Sequence, residues 1–330
     1  MTSSPRLQTP RCRGLWLKRA AITVFLGVVI SLLVSQARHV DWAEVLTALR
    51  GYPLVSVGMA VLLAATSFGL YSCFDLLGRH YTGHPLGTPT VMMVTFVSYV
   101  FNLNLGSLVG GVAFRYRLYS RLGLTTGTIT RVMTLSMLTN WMGYLLLGGL
   151  VFSLMPPALP ADWPITVLHL RLIGVVLVGV AAAYLALCAL SAQRVFAVQG
   201  HTIELPSARL AALQLGMGAA NWLIMSGIVF VLLQQRIAVP AVVSVLLLAG
   251  MAGVITHIPA GLGVMEAVFV ALLSHQMPPP ALLAGLVAYR VVYYLAPLGL
   301  AAVVYLVMEA RTRALGVRRT GATPVSSKPR

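Results

Sequence analysis

Long apolar runs, separated by short polar segments, recur along almost the whole chain. About 20 apolar residues in a helix cross the roughly 30 Å of hydrocarbon in a bilayer, and most of these runs reach that length. Full membrane crossings are therefore predicted at about 20–36, 53–77, 127–155, 168–190, 209–233 and 281–308. Residues 193–207 differ, because apolar and polar residues alternate there around Gln199-Gly200, which predicts a small cytoplasmic β-hairpin.

Two further apolar segments are interrupted by residues that break helices. The first, 91–114, is interrupted by two asparagines and three glycines: Asn102, Asn104, Gly106, Gly110 and Gly111. The second, 240–275, contains THIPAGLGVMEA and is broken at Pro259, Gly261 and Gly263. Unpaired backbone groups cost several kcal/mol each in hydrocarbon, so broken helices persist only inside protein or beside a wet cavity. Both segments are therefore candidates for a functional site.

Composition places the chain among membrane proteins. Of its residues, 58% are hydrophobic and only 9% are charged, and its mean hydropathy is +0.89. Soluble domains carry roughly 25% charged residues. The three cysteines are scattered, without a CxxC pair or a His-rich tract, which argues against a disulfide framework and a metal site. No hydrolase, metalloprotease or phosphate-loop motif is present, so no catalytic residue, cofactor or enzymatic activity is predicted.

The distribution of positive charge predicts the topology. The formal net charge is +16, and Lys and Arg concentrate on the cytoplasmic side of membrane proteins. Basic tails at 1–19 and 311–330 are therefore expected in the cytoplasm, flanking a single polytopic domain at 20–310. The first apolar run also has the form of a signal peptide, whose removal would leave the other crossings unchanged. The tails are short and hold a single aromatic residue, Trp16, so anionic lipid headgroups suit them better than nucleic acid.

The same charge rule gives the interrupted segments their direction. Arginines directly follow 91–114, and the next crossing ends in a loop with an acid and no basic residue, so 91–114 should begin and end in the cytoplasm. The last predicted crossing must run inward to reach the basic C-terminal tail, so 240–275 should begin and end outside. The predicted fold is an all-α polytopic membrane protein with about six full transmembrane helices and two oppositely oriented re-entrant helical hairpins, eight hydrophobic segments in all. GGVAFR at 110–115 beside GLGVME at 261–266 is compatible with an inverted repeat, by which transporters build a midplane site.

Polar and charged residues in or beside these segments form the candidate site. Roles in lipid headgroup binding or transport are predicted for ten residues: Asp75, Asn102, Asn104, Arg115, Arg117, Arg121, Arg131, His257, Glu266 and Arg290. Ionisable residues inside a membrane are functional candidates by default. Guanidinium groups bind phosphate well, and Arg115, nearest the glycines, is the residue expected to do so.

Structural roles are open for several of these residues. Glu266 is placed to cap the half-helix that begins near Val264, and Arg290 to form an ion pair with Glu266 instead of binding a ligand. His257 is suited either to cap the broken helix or to titrate.

The residues around the first interrupted segment have structural alternatives as well. Asp75 is placed to pair with Arg115. Arg117 and Arg121 are equally suited to anchor the cytoplasmic side, and the asparagines to join helices by hydrogen bonds.

Five stretches of the sequence resemble one family of bacterial membrane proteins. They are YSCFDLL (71–77), FNLNLGSLVGGVAFRYRLYSRLGL (101–124), ITRVMTLSMLTNWMGYLLL (129–147), HIPAGLGVMEAVFVALL (257–273) and AYRVVYY (288–294). They are similar to the YbhN-like inner-membrane proteins, within the family that shares the transmembrane, flippase-type domain of lysylphosphatidylglycerol synthases. The resemblance implies handling of phospholipid across a bacterial inner membrane, with Arg115, Glu266 and Arg290 at positions that match the family pattern.

The sequence departs from the full synthases in two respects. Only about 20 residues follow the last predicted crossing, so the soluble domain that transfers an amino acid from tRNA to phosphatidylglycerol is not expected. The first Gly-rich segment also lacks the Pro often found there.

Three functions fit these features. The first is non-enzymatic translocation of an anionic phospholipid across the bacterial inner membrane. The second is secondary transport of a small anionic solute, and the third is a membrane scaffold or regulator of a lipid-metabolising enzyme. Membrane phospholipids are the expected partners, with a lipid-synthesising enzyme as a further candidate. A cavity open sideways to lipid between the hairpins would favour the first function, a closed aqueous pocket the second, and no cavity the third.

Overall fold

Helices make up most of the protein in this computed structural model. It describes residues 47, 50–157, 159, 166–191, 195–198, 201–256 and 259–320. The α-helices in this part are α1 (Leu54–Ser72), α2 (Phe74–Thr82), α3 (Thr88–Leu105), α4 (Phe114–Arg121), α5 (Thr126–Leu154), α6 (Val167–Leu190), α7 (Ala208–Leu232), α8 (Val239–Thr256), α9 (Val264–Leu273), α10 (Pro279–Arg290) and α11 (Ala296–Thr320). Two π-helical segments, Ser107–Ala113 and Val291–Leu295, and a 3₁₀ turn, Pro259–Gly261, interrupt the series.

Six helical stretches in the described part of the chain are long and apolar enough to cross a membrane. They are Leu54–Thr82, Thr126–Leu154, Val167–Leu190, Ala208–Leu232, Val239–Thr256 and Pro279–Ala310. Five of them correspond to predicted crossings, so the chain is a helical multi-pass membrane protein. The sixth, α8, is the first arm of the second interrupted segment, and its 18 residues rise about 27 Å. The predicted crossing at 20–36 and the tail at 1–19 lie outside the described residues.

The first described span is longer than its hydropathy indicates. It breaks at Cys73 and continues as α2 to Thr82, about one turn beyond the expected end at residue 77. The prediction from hydropathy ends the span too early, because polar residues of α2 lie between the inward-facing Phe74 and Leu77 and beyond them. Asp75 lies in the first turn of α2 and is fully buried.

Glycines set the separation of the central helices. A Cβ atom added at Gly143 of α5 would lie 2.1 Å from the backbone of Gly218 on α7. α5 and α6 approach each other in the same way at Gly149 and Gly174. Small residues at such crossings let helix backbones come close, which is a main source of packing energy where lipid replaces water.

The helix α3, the first π-helical segment and α4 form an antiparallel pair, here called hairpin one. The chain reverses at Gly106, whose φ of +86° lies in the region that favours glycine. The returning backbone lies directly against α3. A Cβ atom at Gly110 would stand 2.0 Å from the carbonyl oxygen of Phe101, and one at Gly111 2.8 Å from Oδ1 of Asn102. The first interrupted segment therefore breaks at its glycines, as the sequence predicted.

The helix α8, the 3₁₀ turn and α9 form a second antiparallel pair, here called hairpin two. Its break has positive φ at Ala260 (+55°), Gly261 (+57°) and Gly263 (+76°). The two arms meet where the Cβ position of Gly253 lies 3.9 Å from the Cα atom of Gly261. A left-handed conformation is strained for a residue other than glycine, so surrounding contacts must hold Ala260 in place.

The two hairpins have their outer ends at opposite ends of the helical bundle. Hairpin one begins beside Arg79, which bonds to the start of α3, and ends at Arg121, which contacts Glu309. We call this the arginine-rich end. Hairpin two begins and ends at the opposite end, where Arg236 and Met277 line a common cavity. Helix α3 packs against the 3₁₀ turn of hairpin two, so the inner parts of the two hairpins are in contact.

Two features lie outside the apolar spans. Strands β1 (Val195–Val198) and β2 (His201–Glu204) pair antiparallel between α6 and α7, with Val198 opposite His201. This confirms the predicted β-hairpin, although the connecting residues 199–200 lie outside the described part. Helix α11 runs on to Thr320, so the first ten residues of the predicted tail at 311–330 are helical.

Gly218→Ala should destabilise the packing of α5 against α7. The new methyl group would stand 2.2 Å from the carbonyl oxygen of Thr139, and overpacking of this kind costs about 1–3 kcal/mol. We expect the thermal unfolding midpoint of the detergent-solubilised protein to fall by several degrees. Gly216→Ala is the matched control, because no atom lies within 4 Å of its added Cβ and alanine favours helix over glycine. Equal losses in both variants would contradict the packing argument.

Candidate functional site

Arg290 and Glu266 form an ion pair between the last span and hairpin two. Arg290 Nε donates to Glu266 Oε1 at 2.5 Å, and Arg290 Nη2 donates to Oε2 at 2.9 Å. The two parallel contacts match the fork of the guanidinium to the carboxylate, which is the strong form of this pair. Arg290 ends α10, which begins at Pro279, so the pair lies about 17 Å along the span. That is about half of the roughly 30 Å that a helix must cover to cross the hydrocarbon of a bilayer.

Arg290 also supports the break in hairpin two. Its Nη1 donates to the carbonyl oxygen of Ala260 and its Nη2 to that of Gly261, both at 3.1 Å. Carbonyls at an interrupted helix have no partner along their own segment, and leaving them unpaired in an apolar interior is costly. The ring of Tyr294 covers the guanidinium, with 5.6 Å from Cζ to the ring centroid. The predicted pairing of Arg290 with Glu266 is confirmed, and it also holds the strained backbone.

A second buried ion pair lies toward the arginine-rich end. Arg115 Nη2 is 3.3 Å from Asp75 Oδ1, and the two side chains are 3% and 0% exposed. The hydroxyl of Tyr119 donates to Asp75 Oδ2 at 2.9 Å, and Arg115 donates to the hydroxyl of Ser136. The predicted pairing of Asp75 with Arg115 is confirmed. The guanidinium expected to meet a ligand phosphate is thus enclosed by groups of the protein itself.

The other arginines predicted for the site lie nearer the surface. Arg117 and Arg121 both pair with Glu309 of α11, and Arg117 Nη2 is 3.6 Å from Glu309 Oε1. Arg131 is exposed on α5, unlike the buried Arg290 that follows hairpin two. Sequence reasoning missed Glu309, because an acid just before a basic tail carries no signal of a partner on a distant hairpin.

The two asparagines of hairpin one make contacts inside the bundle. Asn104 Nδ2 donates to the carbonyl of Val100 at 2.9 Å and to that of Tyr294 at 3.4 Å. Asn102 lies against Gly111 at the crossing of the two arms. Asn104 therefore joins hairpin one to the last span by a hydrogen bond, as the structural alternative expected.

A buried cluster of polar side chains lies near the Arg290 pair and was not predicted. Ser67 Oγ bonds to Asn221 Oδ1 at 2.8 Å and to the hydroxyl of Tyr293 at 2.7 Å. The hydroxyl of Tyr99 lies 3.2 Å from that of Tyr293, and Tyr71 stacks on Tyr99. We call these five residues the hydroxyl cluster. Within apolar runs, single serines and tyrosines carry no signal that distinguishes a network from ordinary packing.

An apolar cavity of about 720 Å³ lies on the side of the bundle, next to the hydroxyl cluster. Its walls come from α1, α3, the second π-helical segment and α11. Phe68 lines it and stacks on Tyr293. Val61 and Leu300 also line it and are 52% and 58% exposed, so the cavity opens laterally. It therefore lies between the first described span, hairpin one and the last span, and not between the two hairpins.

His84 is a buried histidine that was not predicted for the site, where His257 was predicted instead. His257 lies outside the described residues. His84, in the loop between α2 and α3, is 8% exposed, and neither ring nitrogen has a hydrogen-bond partner in the described part of the chain. Burial lowers the pKa of His84 below its usual value, Arg79 lowers it further, and Asp75 acts in the opposite direction. Among the described residues, no group of three or more His, Cys, Asp or Glu side chains could hold a metal ion.

Removing one charge of the Asp75–Arg115 pair should destabilise the protein strongly. A buried charge that loses its partner costs about 3–5 kcal/mol, so Asp75→Asn and Arg115→Gln should each lower the unfolding midpoint by roughly 5 °C. The double variant holds two neutral amides and should lose less than the sum of the single variants. Arg131→Gln, at an exposed arginine, is the control and should have little effect. Strictly additive losses would show that the pair is not coupled.

Acidification should destabilise the protein through His84. Because the folded state holds the pKa of His84 down, the unfolded chain binds the proton first, and stability is lost as pH falls below about 6.5. His84→Gln should flatten the dependence of the unfolding midpoint on pH between about pH 7 and pH 5. His80→Gln, at an exposed histidine of α2, should leave that dependence unchanged. An unaltered slope in His84→Gln would count against this role.

The chain also resembles known proteins over nearly its full length. It matches the family model described as the lysylphosphatidylglycerol synthase TM region over residues 20–301. It is 43% identical over 306 residues to inner membrane protein YbhN of Escherichia coli (strain K12), covering 92% of this chain and 96% of that protein. It is 32% identical over 284 residues to the uncharacterized protein slr0712 of Synechocystis sp., covering 85% and 88%. The matched region includes both hairpins and both buried ion pairs, and the chain belongs to the family of the lysylphosphatidylglycerol synthase transmembrane region.

Proposed function

We propose that this protein moves phospholipid between the leaflets of the bacterial inner membrane, without covalent chemistry. The observation that carries the proposal is the lateral apolar cavity, because its wall residue Phe68 stacks on Tyr293 of the hydroxyl cluster. A phospholipid has an apolar and a polar part, and both environments adjoin here. The acyl chains can stay on the membrane side of this wall while the headgroup passes along polar side chains within the bundle.

We further propose that both hairpins are re-entrant. Each begins and ends at one end of the bundle, and α9 has only ten residues, about 15 Å, which is too short to cross. The motifs GGVAFR and GLGVME align Arg115 with Glu266, and each pairs with an opposite charge from a neighbouring helix. This supports an inverted repeat. Arg131 does not fit the repeat, because it is exposed whereas its counterpart Arg290 is buried.

An anionic headgroup suits the arginine-rich end. Hairpin one brings three arginines to two acids, Asp75 and Glu309, which leaves one positive charge in excess. Arg115 is enclosed with Asp75. Arg117 and Arg121, with side chains 13% and 30% exposed, are therefore the residues proposed to meet the phosphate. A guanidinium can bind two phosphate oxygens at once.

The location and orientation are part of the proposal. The relative from Escherichia coli is named an inner membrane protein, which supports the same membrane here. Hairpin one and helix α2 before it hold Arg79, Arg115, Arg117 and Arg121, which supports a cytoplasmic arginine-rich end. Both chain termini are then expected in the cytoplasm.

Filling the lateral cavity should slow lipid exchange. Ala65 lines the cavity and is exposed on α1, so Ala65→Trp would occupy the space of an acyl chain. We expect the exchange rate of a labelled anionic phospholipid in proteoliposomes to fall about tenfold, the effect of a barrier raised by roughly 1.4 kcal/mol. The measurement is the rate at which the label in the inner leaflet becomes accessible to a membrane-impermeant quencher.

Ala182→Trp is the matched control, because Ala182 is likewise an exposed alanine of a spanning helix, α6, and does not line the cavity. It should leave the rate unchanged. Equal slowing in both variants would show that the cavity is not the lipid route. Wild-type exchange no faster than in protein-free liposomes, across several headgroups, would favour a scaffold or regulator of a lipid enzyme instead.

A further inference from the structure

Four oxygen atoms of hairpin two surround the guanidinium of Arg290. Oε1 and Oε2 of Glu266 lie 2.5 and 2.9 Å from its nitrogens, and the carbonyl oxygens of Ala260 and Gly261 each lie 3.1 Å away. All four oxygens come from one short interrupted segment, whereas the guanidinium comes from α10. The ring of Tyr294 also covers the guanidinium.

Such a set of oxygens is what a broken membrane helix offers to a cation. In transporters with discontinuous helices, unwound carbonyls and half-helix ends coordinate a coupling ion near the middle of the membrane. Carboxylate and backbone carbonyl oxygens are also the ligands that hard cations such as Na⁺ and Ca²⁺ prefer. In hairpin two the same kind of oxygens converge on a side chain of the protein.

We propose that Arg290 is a tethered cation, which fills the position that a free coupling ion would occupy at such a break. Its charge neutralises Glu266 and its nitrogens satisfy the two carbonyls, so hairpin two keeps its break without binding a metal cation. A consequence that rests on the proposed function is that lipid translocation does not depend on Na⁺. Arg290 is thereby a positioning residue, which acts on hairpin two and not on the lipid.

The shape of the guanidinium separates this role from that of an ordinary ion pair. A pair with Glu266 alone needs one or two nitrogens, whereas Nε, Nη1 and Nη2 of Arg290 together reach three residues. An ammonium is a compact charge without this planar fork. Arg290→Lys should therefore keep the charge but lose part of the stabilisation of the break.

Chemical rescue tests the proposal directly. Arg290→Ala should lower the thermal unfolding midpoint, and the four oxygens would then face the space left by the side chain. Guanidinium, methylguanidinium and ethylguanidinium at millimolar concentration should restore the midpoint in a saturable way. Affinity should rise in that order by up to about fourfold for each methylene that refills the space. At 100 times its Kd a ligand shifts the folding equilibrium about 100-fold, which raises the midpoint by several degrees.

Two controls make the rescue specific. Adding Glu266→Gln to Arg290→Ala removes the carboxylate and should abolish rescue. Arg236→Ala, at an exposed arginine of the opposite end, should show no saturable response to any of the three cations. Equal responses in all variants, or no saturable response in Arg290→Ala, would overturn the proposal.

The wild-type protein provides a measurement that does not depend on the folding of any variant. Its unfolding midpoint should be the same in NaCl, KCl and choline chloride, whereas a saturable stabilisation specific to Na⁺ would overturn the proposal. These stability measurements need no lipid exchange. Failure of the exchange assay would remove the proposed function and leave the tethered cation intact, so the two failures are distinguishable.

Discussion

Backbone groups that leave a helix inside a membrane must find partners, and the fold around Arg290 is organised by that requirement. The guanidinium reaches the carbonyls of Ala260 and Gly261 from another helix, and Glu266 balances its charge. Each member of the arrangement would be costly alone: a bare cation, a bare carboxylate or two unpaired carbonyls. Together they allow hairpin two to end its first arm and begin its second inside the bundle. The left-handed Ala260 is tolerated because its carbonyl is held from outside the segment.

The two π-helical segments stand next to the two buried arginines. Ser107–Ala113 precedes Arg115 by one residue, and Val291–Leu295 directly follows Arg290. A π-helical segment places an additional residue in a turn and changes which side chains face inward, and such segments are frequent at functional sites. Here the change keeps Arg290 toward hairpin two and Tyr293, one turn later, toward the hydroxyl cluster. One span can thus present a charge to one neighbour and a hydroxyl to another.

Much of this arrangement follows from residue types that have few alternatives in a membrane. Glycine, proline and charge within apolar runs indicated the breaks and both ion pairs, because a buried charge needs a partner and few opposite charges were available. Glu309, His84 and the hydroxyl cluster could not be found in this way. Glu309 lies beside a basic tail, and His84 in a loop whose burial depends on how α2 packs. Ser67 and Tyr293 are distant in sequence, and hydropathy alone gives no sign that they meet.

The lateral cavity lies apart from the contact between the two hairpins. A cavity open sideways to lipid between the hairpins would have favoured lipid translocation, since both hairpins carry the breaks. The inner parts of the hairpins are in contact, because α3 packs against the 3₁₀ turn of hairpin two, and Asn104 bonds to the last span. The apolar opening lies instead beside α1 and α11, with Phe68 between it and Tyr293. The hairpins thus supply much of the neutralised, hydrogen-bonded interior, while α1 and the last span, with Phe96 of α3, form the walls of the lateral cavity. In the proposed translocation the headgroup would meet Arg117 and Arg121, which share one carboxylate, and then hydroxyl groups, which can stabilise it in passing without the strong binding that a fully unpaired arginine would impose.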